Sequence, residues 1–352
     1  MGLIRSDVPL PRSKNPADNF LVGFVLSYGM AQVTRGDAEP VAVLGKTVAP
    51  GTKERLELFV SSLSTGTPLT VPVIVAHGRL SGPTLLLSAA IHGDEINGVE
   101  VCRRVLERID PFALHGTVVA VPVVNVFGFI TQSRYLPDRR DLNRSFPGSA
   151  KGSLASRLAH LFLQRVVSLC DIGIDFHTGS GGRRNLPQVR ANLKDDTTRQ
   201  IAEVFGAPVC VQARERAKSL RAVAAELGKP MLLFEGGEVL RFEEDVIGAG
   251  VAGTLRVMKH LGMLPMIAVD PCPSSVLALD GGWIRSTRGG ILHLDVTLGE
   301  AVQRHDVLGA ITDMFGTVRG KVFATDNGII IGHVTNPLVS RGDALVHLAC
   351  PQ

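Results

Sequence analysis

Between residue 84 and about residue 260 the chain alternates two textures, short apolar runs and stretches whose apolar residues recur every three or four positions. TLLLSAAI leads to NGVEVCRRVLERI; TVVAVPVVN leads to a long polar loop and then SLASRLAHLFLQRVVSLC; DIGIDF leads to RQIAEVFG and SLRAVAAELG; the series closes on PMLLFE. Apolar runs separated by helical patterns predict an α/β fold, a mostly parallel sheet with helices on both faces. Upstream, ERLELFVSSL and PLTVPVIVAHG alternate like half-buried strands, with Gly and Pro marking the turns. Residues 1–45 read as a peripheral segment and 46–270 as the α/β domain.

After Pro271-Cys272-Pro273 the pattern changes to short strands and glycines, and residues 271–352 contain an internal repeat. GILHLDVT (290–297) matches GIIIGHVT (328–335), and VQRHDVL (302–308) matches VSRGDAL (339–345). Two similar β units predict a small pseudo-symmetric β domain. The repeat resembles the biotinyl/lipoyl carrier fold, a flattened β sandwich of two matching halves whose connecting turn bears a cofactor-carrying lysine. Here the connecting segment FGTVRGKVFATDNG holds Lys321 without the E-x-M-K-M or D-K-A type of surround. A structural domain is therefore expected, not a carrier.

Composition narrows the function classes. Hydrophobic residues make up 45% and charged residues 20% of 352, ordinary for a globular protein. A net charge of +4 with no Lys/Arg block argues against nucleic acid as the partner. Five scattered cysteines, none in C-x-x-C, read as reduced thiols, which points to a cytoplasmic protein. The N-terminus lacks the apolar core of a signal peptide, and FLVGFVLSYGMA is too short and interrupted to cross a bilayer, so no membrane partner is expected. Met1-Gly2 with Ser6 matches a loose myristoylation pattern that chance explains. Homo-oligomer formation is compatible with the sequence but not legible in it.

The chemistry concentrates where apolar runs end. TLLLSAAI stops at His92, and Glu95 comes three residues later. That spacing places both side chains on one face of a helical turn, where an imidazole and a carboxylate can share a zinc ion. Alone it is a weak signal, equally read as a helix start with Asp94 or Glu95 answering free N–H groups. Position strengthens it, because DIGIDF ends at His177 and PMLLF at Glu235. Ligands of open α/β sheets bind beyond the carboxyl ends of the strands. Convergence there would give a His92–Glu95–His177 site for one zinc ion per chain, with Glu235 left over as a general base. That donor set is associated with catalytic zinc.

The loop SRYLPDRRDLNRSFPGS (133–149) completes a recognisable set. HGDEINGVE, RDLNRSFPG, DFHTG and FEGGE, in that order, resemble the succinylglutamate desuccinylase/aspartoacylase family of zinc-carboxypeptidase-like deacylases, in its longer microbial branch with a C-terminal β domain. The resemblance spans roughly residues 45–345. It implies that His92, Glu95 and His177 hold zinc and that Glu235, in preference to Glu238, is the catalytic glutamate. It further implies that Asn143 and Arg144 hold a substrate carboxylate, that Asp141 accepts from the first histidine, and that Arg134 stabilises the oxyanion. Loop length varies before DLNR, so Arg139 or Arg140 are alternatives to Arg134.

The resemblance thus implies a zinc-dependent amidohydrolase acting on a small N-acyl substrate that carries a carboxylate, with acetyl the first acyl group it suggests. Zinc acidifies water, a carboxylate relays its proton to the poor leaving amine, and a guanidinium stabilises the oxyanion. The alternatives are a zinc carboxypeptidase acting on peptides and a non-catalytic binding or carrier protein. TGSGGRR (178–184) allows close backbone approach but lacks the lysine and Ser/Thr of a phosphate loop. His293, His305, His333 and His347 read as surface or turn residues, and Trp283 as a packing residue.

Overall fold

The structure is a computed structural model that describes residues 36–264 and 268–351. The myristoylation pattern and FLVGFVLSYGMA lie outside the described residues. No helix among the described residues is long and apolar enough to cross a membrane.

A short hairpin of β1 (Val41–Val43) and β2 (Lys46–Val48) precedes two long strands, β3 (Thr52–Ser62) and β4 (Pro68–His77). In β4, Leu69, Val71, Val73 and Val75 are buried at every second position, so the alternating sequence presents one apolar face. The central segment then runs β5 (Leu80–Ala89), α1 (Asn97–Glu107), β6 (His115–Val121), α2 (Val126–Ile130), α3 (Leu154–Arg165), β7 (Ile172–His177), β8 (Arg183–Ala191), α4 (Asp196–Phe205), β9 (Val209–Gln212), α5 (Leu220–Glu226), β10 (Met231–Gly237) and α6 (Glu244–His260). Helix α1 buries Val101, Cys102, Val105 and Leu106, and pairs Glu100 with Arg103 and Arg104 on its outer side. Asp195 caps α4 by accepting from Thr198 N, and Gly206, in the left-handed region at φ 71°, ends it.

The helical pattern of SLASRLAHLFLQRVVSLC is helix only to Arg165, after which Val167–Leu169 tightens into a 3-10 turn. Leu86, Val119 and Val71, Val73 and Val75 of β4 pack with Leu158 and Phe162 of α3 and with α5. Phe176 of β7 meets Phe234 of β10, which meets Phe205 of α4. The glycines of α6 let it lie close to this cluster: a methyl on Gly253 would come within 2.4 Å of the Phe205 ring.

Eight strands complete the chain: β11 (Val276–Arg285), β12 (Gly290–Leu294), β13 (Ala301–Val302), β14 (Val307–Thr312), β15 (Val318–Phe323), β16 (Gly328–Val334), β17 (Leu338–Val339) and β18 (Ala344–Pro351). The repeat is visible in their pairing. One sheet has the order β15-β14-β12-β17, and its counterpart runs β11-β18-β16-β13. Ile284, Leu292, Leu308, Ile311, Ile330 and Leu345 lie in the core these strands share. Lys321 is mid-strand in β15, opposite Ala310, and not on a turn.

Apart from that four-stranded sheet and the β1–β2 hairpin, the strands form one sheet of 12, ordered β13-β16-β18-β11-β9-β8-β10-β7-β5-β6-β4-β3. Its parallel pairings are β6–β5–β7–β10, β8–β9 and β9–β11, within and just beyond the segment where strands alternate with helices. The antiparallel β3–β4 hairpin extends one end, and the C-terminal strands extend the other, so the complete sheet is mixed. Strand β16 also pairs with β8, which joins the C-terminal strands to the interior of the sheet.

Candidate metal centre and active site

Three neighbouring parallel strands, β5, β7 and β10, deliver the chemistry at their carboxyl ends. Beyond the last residue of β5, Ala90 takes a positive φ of 47°, and the chain turns through His92 and Glu95 into α1. His177 is the last residue of β7, and Glu235 sits beside it in the β7–β10 register. His92 Nδ1 lies 2.8 Å from Glu95 Oε1, His177 Nδ1 lies 2.7 Å from Glu95 Oε2, and the two Nδ1 atoms are 3.2 Å apart. All three side chains are at least 95% buried, with relative exposures of 4%, 2% and 4%.

The far sides of both rings are held by carboxylates. His92 Nε2 is 3.3 Å from Asp141 Oδ1, and His177 Nε2 is 2.8 Å from Asp175 Oδ2. Ser88 donates to the other oxygen of Asp175 at 2.7 Å. Arg134 donates to Glu95 Oε1 at 3.2 Å and to Asp141 Oδ2 at 2.9 Å. Burial opposes charge on His177, Glu95 and Asp141, and the neighbours outweigh it. Asp175 and Glu95 hold the His177 pKa well above its usual value, while His92 and His177 hold the Glu95 carboxyl well below the usual range. His92 and Arg134 do the same for Asp141.

This donor set fits a divalent cation. With each Nε2–H given to the carboxylate behind it, two neutral rings turn their Nδ1 lone pairs toward each other at 3.2 Å and toward the Glu95 oxygens, with no proton between them. An ion taking both lone pairs and a Glu95 oxygen removes the conflict, and carboxylates behind metal-binding imidazoles are the usual support for such an ion. Among the described residues, His92, Glu95 and His177 are the three acid, imidazole or thiol side chains close enough to share a metal.

A cavity of about 190 Å³ opens in front of them. Glu235, Arg134, Asn143 and Arg144 line it as well. Arg139 and Arg140 are exposed and do not line it, and neither does Glu238, which accepts from Thr335 Oγ1. Glu235 Oε2 accepts from Asn185 Nδ2 at 2.8 Å, with Arg190 Nη1 at 3.7 Å. Asn143 uses its side-chain oxygen to hold Leu220 N, which leaves its amide nitrogen as the group it can offer. Arg144 has no carboxylate within ion-pair distance among the described residues, and burial lowers its pKa.

Sequence reasoning missed much of the opposite wall. Arg183, Arg190, Arg214, Arg216 and Arg221 also line the cavity, which gives it seven arginines against two carboxylates, Glu95 and Glu235. Arg221 is 92% buried, at 8% exposure, and its Nη1 has no hydrogen-bond partner. Asp175 was legible in principle, since D-x-H on a strand puts both side chains on one face. Trp283 packs as expected, its ring stacked on His347 at 4.6 Å, and it also lines the cavity, with the Arg183 guanidinium 5.0 Å from its centre. His347 is buried on β18, contrary to the expectation of a surface residue, because it pairs across the strands with Trp283.

Comparison with known proteins identifies what the chain is similar to. Residues 81–261 match the succinylglutamate desuccinylase/aspartoacylase catalytic domain. The N-alpha-acetyl-L-2,4-diaminobutyric acid deacetylase of Halomonas elongata is 28% identical over 298 residues, covering 79% of this chain and 85% of that protein. A succinylglutamate desuccinylase/aspartoacylase from Rhodobacter sphaeroides superposes with a TM-score of 0.74 at 25% identity, covering 85% of this chain and 95% of the other. The product-bound ectoine utilization protein EutE (DoeB) of Ruegeria pomeroyi gives a TM-score of 0.76 at 23% identity, covering 86% and 97%. With more than half its length matched by that catalytic domain and with the donor cluster at the ends of its central strands, the chain belongs to the succinylglutamate desuccinylase/aspartoacylase family of deacylases.

Proposed function

We propose that this chain is a zinc-dependent hydrolase, one ion per chain, that removes the acyl group, in the first instance acetyl, from a small N-acylated amino acid. The observation that carries the reading is the convergence of His92, Glu95 and His177 on one point at the mouth of a cavity that also holds Glu235. When bound by those three residues, zinc supplies Lewis acidity that acidifies water and polarises the scissile carbonyl.

The chain's own residues do the rest. Glu235 takes a proton from the attacking water and returns it to the leaving nitrogen. Arg134 offers its guanidinium to the oxyanion, while its bonds to Glu95 and Asp141 fix its position. Arg144 presents a planar fork to a substrate carboxylate, beside the Asn143 amide. Seven arginines in a cavity of about 190 Å³ favour a small anion over an extended peptide, which ranks carboxypeptidase activity second. In this reading 46–270 is the catalytic unit, and 271–352 is a structural β domain that contributes Trp283 to the wall. Lys321 lies mid-strand in β15, which favours a structural role for this domain.

The test is hydrolysis of a panel of N-acetyl and N-succinyl amino acids by zinc-loaded protein, with a chelator control. Activity is expected on at least one small acylated amino acid, and Glu235→Gln should lower kcat by more than about 10²-fold. Undiminished hydrolysis by Glu235→Gln would overturn the mechanism.

A further inference from the structure

Glutamate reaches its functional oxygen through three rotatable bonds, so a general base at this position must be held by something. In the Glu235 side chain, Oε2 is the held atom. Asn185 Nδ2 donates to it at 2.8 Å, and the Arg190 guanidinium stands farther off at 3.7 Å. Asn185 is itself 93% buried, at 7% exposure. It sits at a junction of three strands, opposite Gly237 of β10 on one side and Gly332 of β16 on the other. The β8–β10 register shifts between Glu235 and Gly237, an irregularity of the kind that re-aims a side chain.

The C-terminal strand closes directly behind Asn185. A methyl group on Gly332 would lie 2.6 Å from Asn185 Oδ1, too close for any real contact. Nearby, Gln188, which faces Glu235 across the strands, donates to Ile331 O at 3.0 Å and pins β16 to β8.

We propose that Asn185 is a positioning residue for the Glu235 carboxylate, and that β16 sets Asn185 in place through the absent side chain of Gly332. The C-terminal strands then act on catalysis through this contact as well as by walling the cavity. The inference rests on the reading of Glu235 as the general base.

Asn185→Ala removes the donor. It should lower kcat by about 10- to 100-fold, the range for a hydrogen bond to a charged group, on whichever N-acetyl amino acid of the panel is hydrolysed best. KM and bound metal should hardly change. Asn185→Asp keeps the volume but turns an acceptor toward Glu235, and it should be slower still; it also serves if Asn185→Ala does not fold. Gly332→Ala should lower kcat in the wild-type background and add nothing in the Asn185→Ala background, where the clashing oxygen is gone. A purely architectural glycine would cost activity in both.

Crystal structures give a readout that needs no substrate. In Asn185→Ala the Glu235 carboxylate should move by about 1 Å or more, a displacement large enough to cost the lost rate. A carboxylate that stays in place, or an Asn185→Ala enzyme with wild-type kcat beside an inactive Glu235→Gln, would overturn this inference and leave the proposed function standing. An active Glu235→Gln would instead overturn the proposed function.

Discussion

On the strand-end side of the cavity, His92, Glu95, His177, Asp141, Asp175 and Arg134 bond to one another within 3.3 Å. Elsewhere around the cavity, Arg144, Arg216 and Arg221 have no carboxylate within ion-pair distance among the described residues. Burial disfavours charge on Arg144 and Arg221 as it does on the cluster, yet only the cluster answers it with carboxylates within ion-pair distance. The closed side is preorganised: each group is held in one geometry by its neighbours before anything binds. The open side keeps cations in a confined place where the missing counter-charge must come from outside, and an anionic substrate is the simplest source. Rigidity is stored on one wall and recognition on the other.

Three changes test that contrast, beginning with the largest effect. Asp175→Asn keeps the shape behind His177 but removes its charge. Metal affinity, measured by competition with a chelator, should fall about 10- to 100-fold. An unchanged affinity would mean that the closed side is not tuned for an ion. Next, Arg221→Gln takes one cation from the open side. KM for a carboxylate-bearing substrate should rise about tenfold with kcat nearly constant, while the melting temperature holds or rises, because a buried donor without a partner is gone. A fall in stability with KM unchanged would recast that arginine as scaffold.

The third change, read in stability and not in binding, concerns His347, whose partner Trp283 lines the cavity. Burial first, then Arg190 and Arg183, push its pKa from 6.5 down to about 3. The unfolded chain takes up this proton below 6.5, and the folded chain does so only near 3. The stability is therefore complete above about pH 6.5 and is lost as pH falls through that window, by roughly 1.4 kcal/mol per unit at most. His347→Gln should flatten the decline in urea midpoints between about pH 7 and 4. A slope equal to wild type would place the proton elsewhere.

How much of this was legible in the sequence divides along the same line. His92, His177 and Glu235 could be found because each ends an apolar run, and strand ends are where such sheets bind ligands. Asn143 was reached through a specific motif, and Arg134 only as one of three candidate arginines in the loop around its start. The open wall gave no comparable signal. Strand β8 reads RRNLPQVRA, with charges and a proline where an apolar alternation would announce a strand, because it lines the cavity and meets β16. Helix α6 is interrupted by Gly248, Gly250 and Gly253, poor helix formers; for Gly250 and Gly253 the close approach of neighbours is the explanation. Trp283 and His347 lie more than sixty residues apart, and only their cross-strand pairing reveals them as a unit.

One continuous sheet has a further consequence for how the chain can be cut or rearranged. Ending the polypeptide before β11 would strip β9 of its outer neighbour and remove β16 from β8. Bare N–H and C=O groups would then line a raw margin beside the cavity, the kind of surface on which copies of a chain stack into aggregates. The last eighty residues therefore serve as a hem as well as a wall: a truncated catalytic half should be sticky before it is inactive.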